Sequence, residues 1–316
     1  MEKIVHKPVM TEKVIEFLDP CPGKKFVDGT IGEGGYSVEI AKRIKPGGLL
    51  MGIDLDKDIL NIAVKRIEQT GVKFKYFCDS FSNVSKILSD INIHEVDGIL
   101  LDLGFSRWHI LKAGKGFSFS KDEVLDMRYN VNKGIPAYKW LNNASEDEIN
   151  KVIKNLGNEK ESKRISKEII KYRKAKKIKT SIELSEIVQK AKKRKKKRIH
   201  PATKTFQAIR IFINKEIEEL KKGLYNSINS LKKKGKLLVL TYHSIEDRAV
   251  KEFFLQYSGT CICPSGLPEC RCGAESRRPR IEISPVSGTT PEEKEISMNP
   301  SARSAHIRAC TVIVKG

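Results

Sequence analysis

The chain has 316 residues, of which 39% are hydrophobic and 31% charged, and its net charge is +21. That length holds one large domain or two ordinary ones with a sizeable core. No run approaches the roughly 18 apolar residues of a membrane span, and residues 1–19 lack the apolar region of a signal peptide, so neither a membrane protein nor a secreted one is expected and a cytoplasmic location is.

Taken in order, Met10, Val14 and Phe17/Leu18 recur at helical spacing behind Thr11, and Pro20, Pro22 and Gly23 end that helix. "KKFVDGT" reads as a strand. Ser37–Ile44 reads as a helix with Val38, Ala41 and Ile44 on one face. "GLLMGIDLD" is a buried strand, followed by a helix whose inner face carries Leu60, Ala63, Val64 and Ile67. "KFKYFCDS" and "VDGILLDLG" are the next strands. This alternation predicts an α/β fold with a parallel, doubly wound sheet.

The rhythm stops near Ser106, and no strong strand run appears before Lys204. "SEDEINKVIKNLG", opening on a capping box at Ser145–Glu148, "NEKESKRISKEIIKYRK" and "TSIELSEIVQKAKK" are helical. A long helix is expected next, with Phe206, Ile209, Ile213, Ile217 and Leu220 on one face. Strand character resumes at "GKLLVLTYHS" and again at "SAHIRACTVIV", and 274–300 reads as an exposed loop. The expected organisation is a sheet domain over 1–105 and 205–316, interrupted by a basic helical insertion over 106–204.

That insertion holds most of the charge. Residues 151–200 contain 20 Lys/Arg against 5 Asp/Glu, an excess of +15, and Lys192–Arg198 is an unbroken basic run. A charge run alone can be a solvated face. Beside an apolar, aromatic segment it points to a nucleic acid. Cys21, Cys78 and Cys310 are scattered, as suits a reducing compartment. Cys261, Cys263, Cys270 and Cys272 could hold zinc or form a reduced Pro/Gly-rich loop, and no metal is assigned.

"DGTIGEGGYS" packs Gly29, Gly32, Gly34 and Gly35 between a strand and a helix. Glycines there let a ligand approach the backbone beyond the carboxyl end of a strand. Asp54 ends the next strand, where an acid accepts hydrogen bonds from ribose hydroxyls. That leaves NAD or S-adenosylmethionine. The spacing is not the G-x-G-x-x-G of dinucleotide sites. Asp28 beside the loop suits an ammonium, and Asp102 ends the fourth strand, so S-adenosylmethionine is favoured.

"HKPVM", "DGTIGEGGYS", "GIDLD", "GILLDLG", "KGFSF", "LDMR", "HPATKTFQAIRI", "HSIEDRAVKEFF" and "NPSARSAHIRA" occur in this order from His6 to Ala309. They resemble the bacterial 16S ribosomal RNA cytosine-N4 methyltransferase family. The resemblance implies a Rossmann-like S-adenosylmethionine-dependent methyltransferase core with a helical insertion, and a decoding-region cytidine of the small ribosomal subunit as acceptor. It places the cofactor at Gly34, Gly35, Tyr36, Asp54, Phe81, Asp102 and His109. The family commonly has His at Tyr36 and Gln at His109, and "FSRWH" departs from its pattern, which leaves open a divergent second copy. The reaction is expected to rest on Asp102, with His243 and Glu246 as further catalytic candidates. Trp108, Phe117, Arg128, Arg210 and Arg248 are candidates for RNA contact. The alternatives are a methyltransferase of the same fold acting on another nucleic acid, and a non-catalytic basic RNA-binding protein.

Overall fold

The computed structural model describes residues 8–104, 114–192, 200–261, 263, 271, 278–285 and 288–314, the side chains of 300 and 301 excepted. The chain forms two compact units: Met1–Gly104 with Glu219–Gly316, and Phe105–Glu218.

The first unit is built on a seven-stranded sheet of order β3-β2-β1-β4-β5-β7-β6. Its strands are β1 (Lys25–Asp28), β2 (Leu49–Asp54), β3 (Lys73–Cys78), β4 (Val96–Asp102), β5 (Leu231–Thr241), β6 (Ile281–Ile283) and β7 (His306–Val312). Strands β1 to β5 are parallel. β7 runs antiparallel to β5, and β6 antiparallel to β7. Helix α1 (Thr11–Leu18) precedes β1, and the crossover helices are α2 (Gly35–Ile44), α3 (Lys57–Glu68) and α4 (Val84–Asp90). Strands β1, β2 and β4 are almost wholly buried, which is why they read as unbroken apolar runs. One core joins Phe26 and Leu50 of the sheet to Ile40, Ile44, Leu60 and Ile67 of α2 and α3. The 274–300 stretch is not all loop: it contributes β6 and the short helix α12 (Glu293–Met298), so the expected loop is corrected there. β6 has only three residues and lies at the sheet edge, too short to announce itself in sequence.

The second unit is helical. It holds α5 (Ala137–Asn143), α6 (Glu146–Gly157), α7 (Ser162–Ala175), α8 (Ser181–Ala191) and α9 (Thr203–Ile213). Trp140, Ile149, Ile153, Ile165, Ile169, Leu184 and Val188 form its core with Phe206 and Ile209. Because α9 packs there, the unit extends past the expected boundary at 204. The expected capping box at Ser145 is present, and Thr180 with Glu183 forms a second. The single long helix expected near 206–220 is two helices, α9 and α10 (Glu216–Ser230). Lys215 breaks them with φ 51°. Asn214 donates from Nδ2 to the Met127 and Arg210 carbonyls and accepts from Tyr129 N, which ties the break to the 127–129 loop. Apolar spacing continues across the break, and spacing alone cannot register it.

α11 (Ser244–Tyr257) is fastened to β7 by a charged contact. Arg308 donates from Nε and Nη2 to the two carboxylate oxygens of Asp247 at 2.6 and 2.8 Å, and His306 Nδ1 lies 2.7 Å from Oδ1. Burial would push the Asp247 carboxyl up, but Arg308 and His306 outweigh it and hold it below the usual carboxylate range. Arg308 is only 6% exposed, so removing Asp247 strands a buried guanidinium. Asp247→Ala should therefore destabilise the chain by about 3 kcal/mol. Urea denaturation is the check, and a wild-type midpoint would show that the contact is not needed for folding.

Candidate active site

The chain runs outward from β1 to β3, then returns to place β4 on the other side of β1. That reversal opens a crevice beyond the carboxyl ends of β1 and β4, where ligands bind in doubly wound sheets. Three strands end there in aspartate: β1 at Asp28, β2 at Asp54 and β4 at Asp102. Asp28 pairs in register with Gly52 and Leu100. Asp54 and Asp102 each lie two residues further on, so strand alternation gives all three the same face.

The glycine loop is stitched into this edge. Gly29 N donates to the Leu100 carbonyl, Ile31 N to the Ile53 carbonyl and Asp102 N to Thr30 Oγ1. Asp28 accepts from Ser37 Oγ at 2.7 Å and from Thr30 N at 3.3 Å. Asp54 accepts from Gly32 N on Oδ2 and from Asp56 N on Oδ1, both at 3.0 Å. Asp102 Oδ1 accepts from Gly104 N at 2.9 Å, and its side chain is also hydrogen-bonded to Tyr242.

Burial, aided by the neighbouring charges of Asp102 and Asp54, pushes Asp28 up to about 7. Burial also pushes Asp54 up, against the hydrogen bonds from Asp56 and Gly32. The Tyr242 hydroxyl is raised well above the phenol range by burial and then by Asp102.

The glycines divide the work. Gly32, at φ +52°, faces open space: a Cβ there would meet nothing nearer than the Thr30 carbonyl at 3.9 Å. Gly34 and Gly35, both expected to touch cofactor, are bare for reasons of the fold: Gly34 holds φ +79°, and protein lies against both. A Cβ on Gly34 would lie 3.2 Å from Ala63 of α3, and one on Gly35 would strike the Pro8 ring. Their part in a ligand site is the backbone that starts α2, whose first N–H groups favour an anion.

Tyr36, also expected at the cofactor, is buried, and its hydroxyl donates to the Val9 carbonyl at 2.6 Å. Phe81 follows β3 and packs its ring on Gly223 of α10.

The structure brings together Asp28, Asp54, Asp102 and the Gly34–Tyr36 segment, and adds Thr30, Ser37 and Tyr242. Tyr242 had no signal in the sequence beyond its place after β5. His109 and Trp108 lie outside the described residues, as do Cys270, Cys272 and 193–198 of the basic run.

His243 caps α11, its Nδ1 accepting from Glu246 N at 3.3 Å. Its buried Nε2 lies 2.6 Å from Glu246 Oε1 but off the line of a hydrogen bond, so the two side chains are in close contact only. Glu246 also accepts from Tyr242 N at 3.3 Å. Both expected catalytic side chains are thus engaged in holding the start of α11.

Three expected RNA contacts are corrected. Phe117 is 8% exposed and stacked on Tyr129, so no base can reach its face. Arg128 grips Asp126 through Nε and Nη2 and donates from Nη1 to the Val131 and Gly134 carbonyls. Arg210 is paired through Nε and Nη2 with Glu216 at 2.9 and 3.0 Å. These arginines build loops, a use that their position in sequence does not distinguish from phosphate binding. Arg248 is exposed.

A pyrophosphate would meet the carboxylates of Asp54 and Asp102 here and be repelled. S-adenosylmethionine, with a sulfonium and an ammonium against one carboxylate, suits the same acids. The open backbone at Gly32, the acid at Asp54 for ribose hydroxyls and the start of α2 for a carboxylate complete the fit. Fold and site define an S-adenosylmethionine-dependent methyltransferase with a Rossmann-like core. A model of the MraW methylase family matches residues 3–313, and the chain belongs to that family.

Its relatives include "Ribosomal RNA small subunit methyltransferase H" of Syntrophotalea carbinolica, 40% identical over 310 residues and covering 98% of both chains. The protein of the same name from Clostridium botulinum (strain 657 / Type Ba4) is 40% identical over 309 residues, 98% of this chain and 99% of its own. That of Geobacter sulfurreducens is 38% identical over 306 residues, 96% and 97% of the two chains.

Asp54→Ala should weaken S-adenosylmethionine binding by about 1.5–3 kcal/mol, the range for a charged hydrogen bond. Calorimetry on the folded variant is the check, and unchanged affinity would remove Asp54 from the site. Asp28 makes a second test. Its folded pKa lies above its unfolded value, so its stabilising contribution is present below about pH 4 and is lost as pH rises through about 7. The stability of Asp28→Asn relative to wild type should therefore increase between pH 5 and pH 8.5. A difference that does not move with pH would mean that the carboxylate is not held against ionisation.

Proposed function

We propose that the protein methylates N4 of a cytidine in the decoding region of 16S ribosomal RNA, acting in the cytoplasm on the small ribosomal subunit. The observation that carries this reading is near-full-length similarity to proteins named as ribosomal RNA small subunit methyltransferases. The net charge of +21 suits a polyanionic substrate. Among the described residues no helix is long and apolar enough to cross a membrane.

When bound, S-adenosylmethionine would supply a methyl carbon made electrophilic by its sulfonium sulfur, which leaves as a neutral thioether. The residues of this chain have the remaining tasks. Gly32, Asp54 and the start of α2 hold and orient the cofactor. Cytosine N4 is a poor nucleophile because its lone pair is delocalised into the ring, so alignment accounts for much of the rate. The target base must leave its stack to reach the crevice. Asp102 stands at the switch point, its carboxylate bonded to Gly104 N and to Tyr242, and would accept from the N4–H of a base brought to it. That bond would draw the lone pair toward the nitrogen and take up the proton as the new bond forms. His243 and Glu246 contribute by fixing Tyr242 and the α11 start beside it.

The test is mass mapping of RNA after incubating the enzyme and cofactor with small subunits from a strain lacking it. One N4-methylcytidine in the decoding region is expected. Asp102→Asn should lower turnover by about 10²–10⁴-fold, the usual worth of a general base. Methylation of another base or another RNA would reassign the substrate, and full turnover by the variant would remove Asp102 from the chemistry.

A further inference from the structure

Helix α7 carries its basic residues in two different ways. Arg173 is used by the fold: its Nη1 donates to the Leu141 and Ala144 carbonyls at 2.6 and 2.7 Å. Arg164 is paired with Glu161. Lys163, Lys167, Lys171 and Lys174 are all exposed, and among the described residues none meets a carboxylate.

Their spacings of four, four and three residues place them within an arc of about 80° at 100° per residue, along about 16 Å of helix at 1.5 Å per residue. The opposite face is buried at Ser162, Ile165, Ser166 and Ile169, so the rigid core of the unit holds the row in place.

Neighbouring lysines three or four apart on a helix repel, by a few tenths of a kcal/mol per pair. Some lysines of this unit do have acids: Lys151 with Asp147, Lys176 with Glu183, Lys190 with Glu168 and Lys192 with Glu159. The row on α7 is left uncompensated, and a line of negative charge would relieve it. A straight row of flexible ammonium groups suits the regularly spaced phosphates of a nucleic acid backbone, and it carries no means of reading bases.

We propose that Lys163, Lys167, Lys171 and Lys174 form a phosphate-docking ridge for the backbone of the RNA substrate. The proposal rests on the RNA-methylating reading above. The ridge sets affinity and orientation, with the chemistry left to the sheet domain.

The test is a fourfold variant, Lys163→Gln, Lys167→Gln, Lys171→Gln and Lys174→Gln, in the full chain. Glutamine keeps helix propensity, and circular dichroism verifies the fold. The probe is a 16S ribosomal RNA transcript titrated across a range of salt. RNA affinity should fall about tenfold or more near 0.1 M salt, and the slope of log K against log salt should flatten by about 3, from roughly 0.7–0.9 per phosphate contact. KM for small subunits should rise, while kcat at saturating substrate and cofactor affinity stay at wild-type values. The control is Lys151→Gln with Lys176→Gln, which removes lysines that have acid partners. An unchanged slope in the fourfold variant, or equal flattening by the control, overturns the ridge. Failure of the wild-type protein to methylate ribosomal RNA would instead overturn the substrate reading, and the two results are separable because the slope is read from binding.

Discussion

Everything in the candidate site depends on one constraint: three carboxylates end neighbouring strands of the sheet and share a face. The order β2-β1-β4 sets Asp54, Asp28 and Asp102 side by side, strands being about 4.8 Å apart. Burial is the main cost, with the like charges of Asp102 and Asp54 adding to it, and it shows in Asp28, the central and most buried of the three, held up to about 7. The surroundings reduce the cost with hydrogen bonds. Ser37, Thr30, Gly32, Asp56 and Gly104 each donate to one of the acids. The same bonds fix the glycine loop to β1 and β2, so the network that makes the acids tolerable also shapes the site. A ligand with two cationic groups, as S-adenosylmethionine has, completes the balance.

The second unit follows a different logic. Its core is ordinary helix packing around Trp140, Ile149, Ile165 and Leu184. What sets it apart is the division of its basic residues. Arg128, Arg173 and Arg210 have their donors engaged by carboxylates and carbonyls, while lysines on the outer face of α7 have none. Arginine's planar fork suits the structural role and lysine's compact charge suits a mobile phosphate partner. Net charge alone treats these residues as equivalent, and only their contacts separate them.

Much of the fold was legible from local pattern. Buried parallel strands read as apolar runs, amphipathic helices read as a periodicity of 3.6, and the alternation of the two implied the doubly wound sheet. The failures have two causes. The α9–α10 break at Asn214 is made by bonds to Met127 and Tyr129, far away in sequence, while the apolar spacing runs straight through it. β6 is too short to carry a pattern of its own.

For the site, the sequence by itself determined which residues stand at strand ends, and hence Asp54, Asp102 and the glycine loop, because chain order and the two-residue strand period fix those positions. It also determined that a large basic excess lies between β4 and β5. Only the tertiary structure decided what each side chain spends its bonds on. It turned Phe117, Arg128 and Arg210 from RNA candidates into packing and loop anchors, and gave His243 and Glu246 to a helix cap. It explained the bareness of Gly34 and Gly35 by Ala63, Pro8 and the positive φ of Gly34, and placed Tyr242 against Asp102. The physical reason is that a polar group's role is set by the partner nearest to it in space, and the chain alone does not say whether that partner is a near neighbour, as Asp126 is to Arg128, or a distant residue, as Asp102 is to Tyr242.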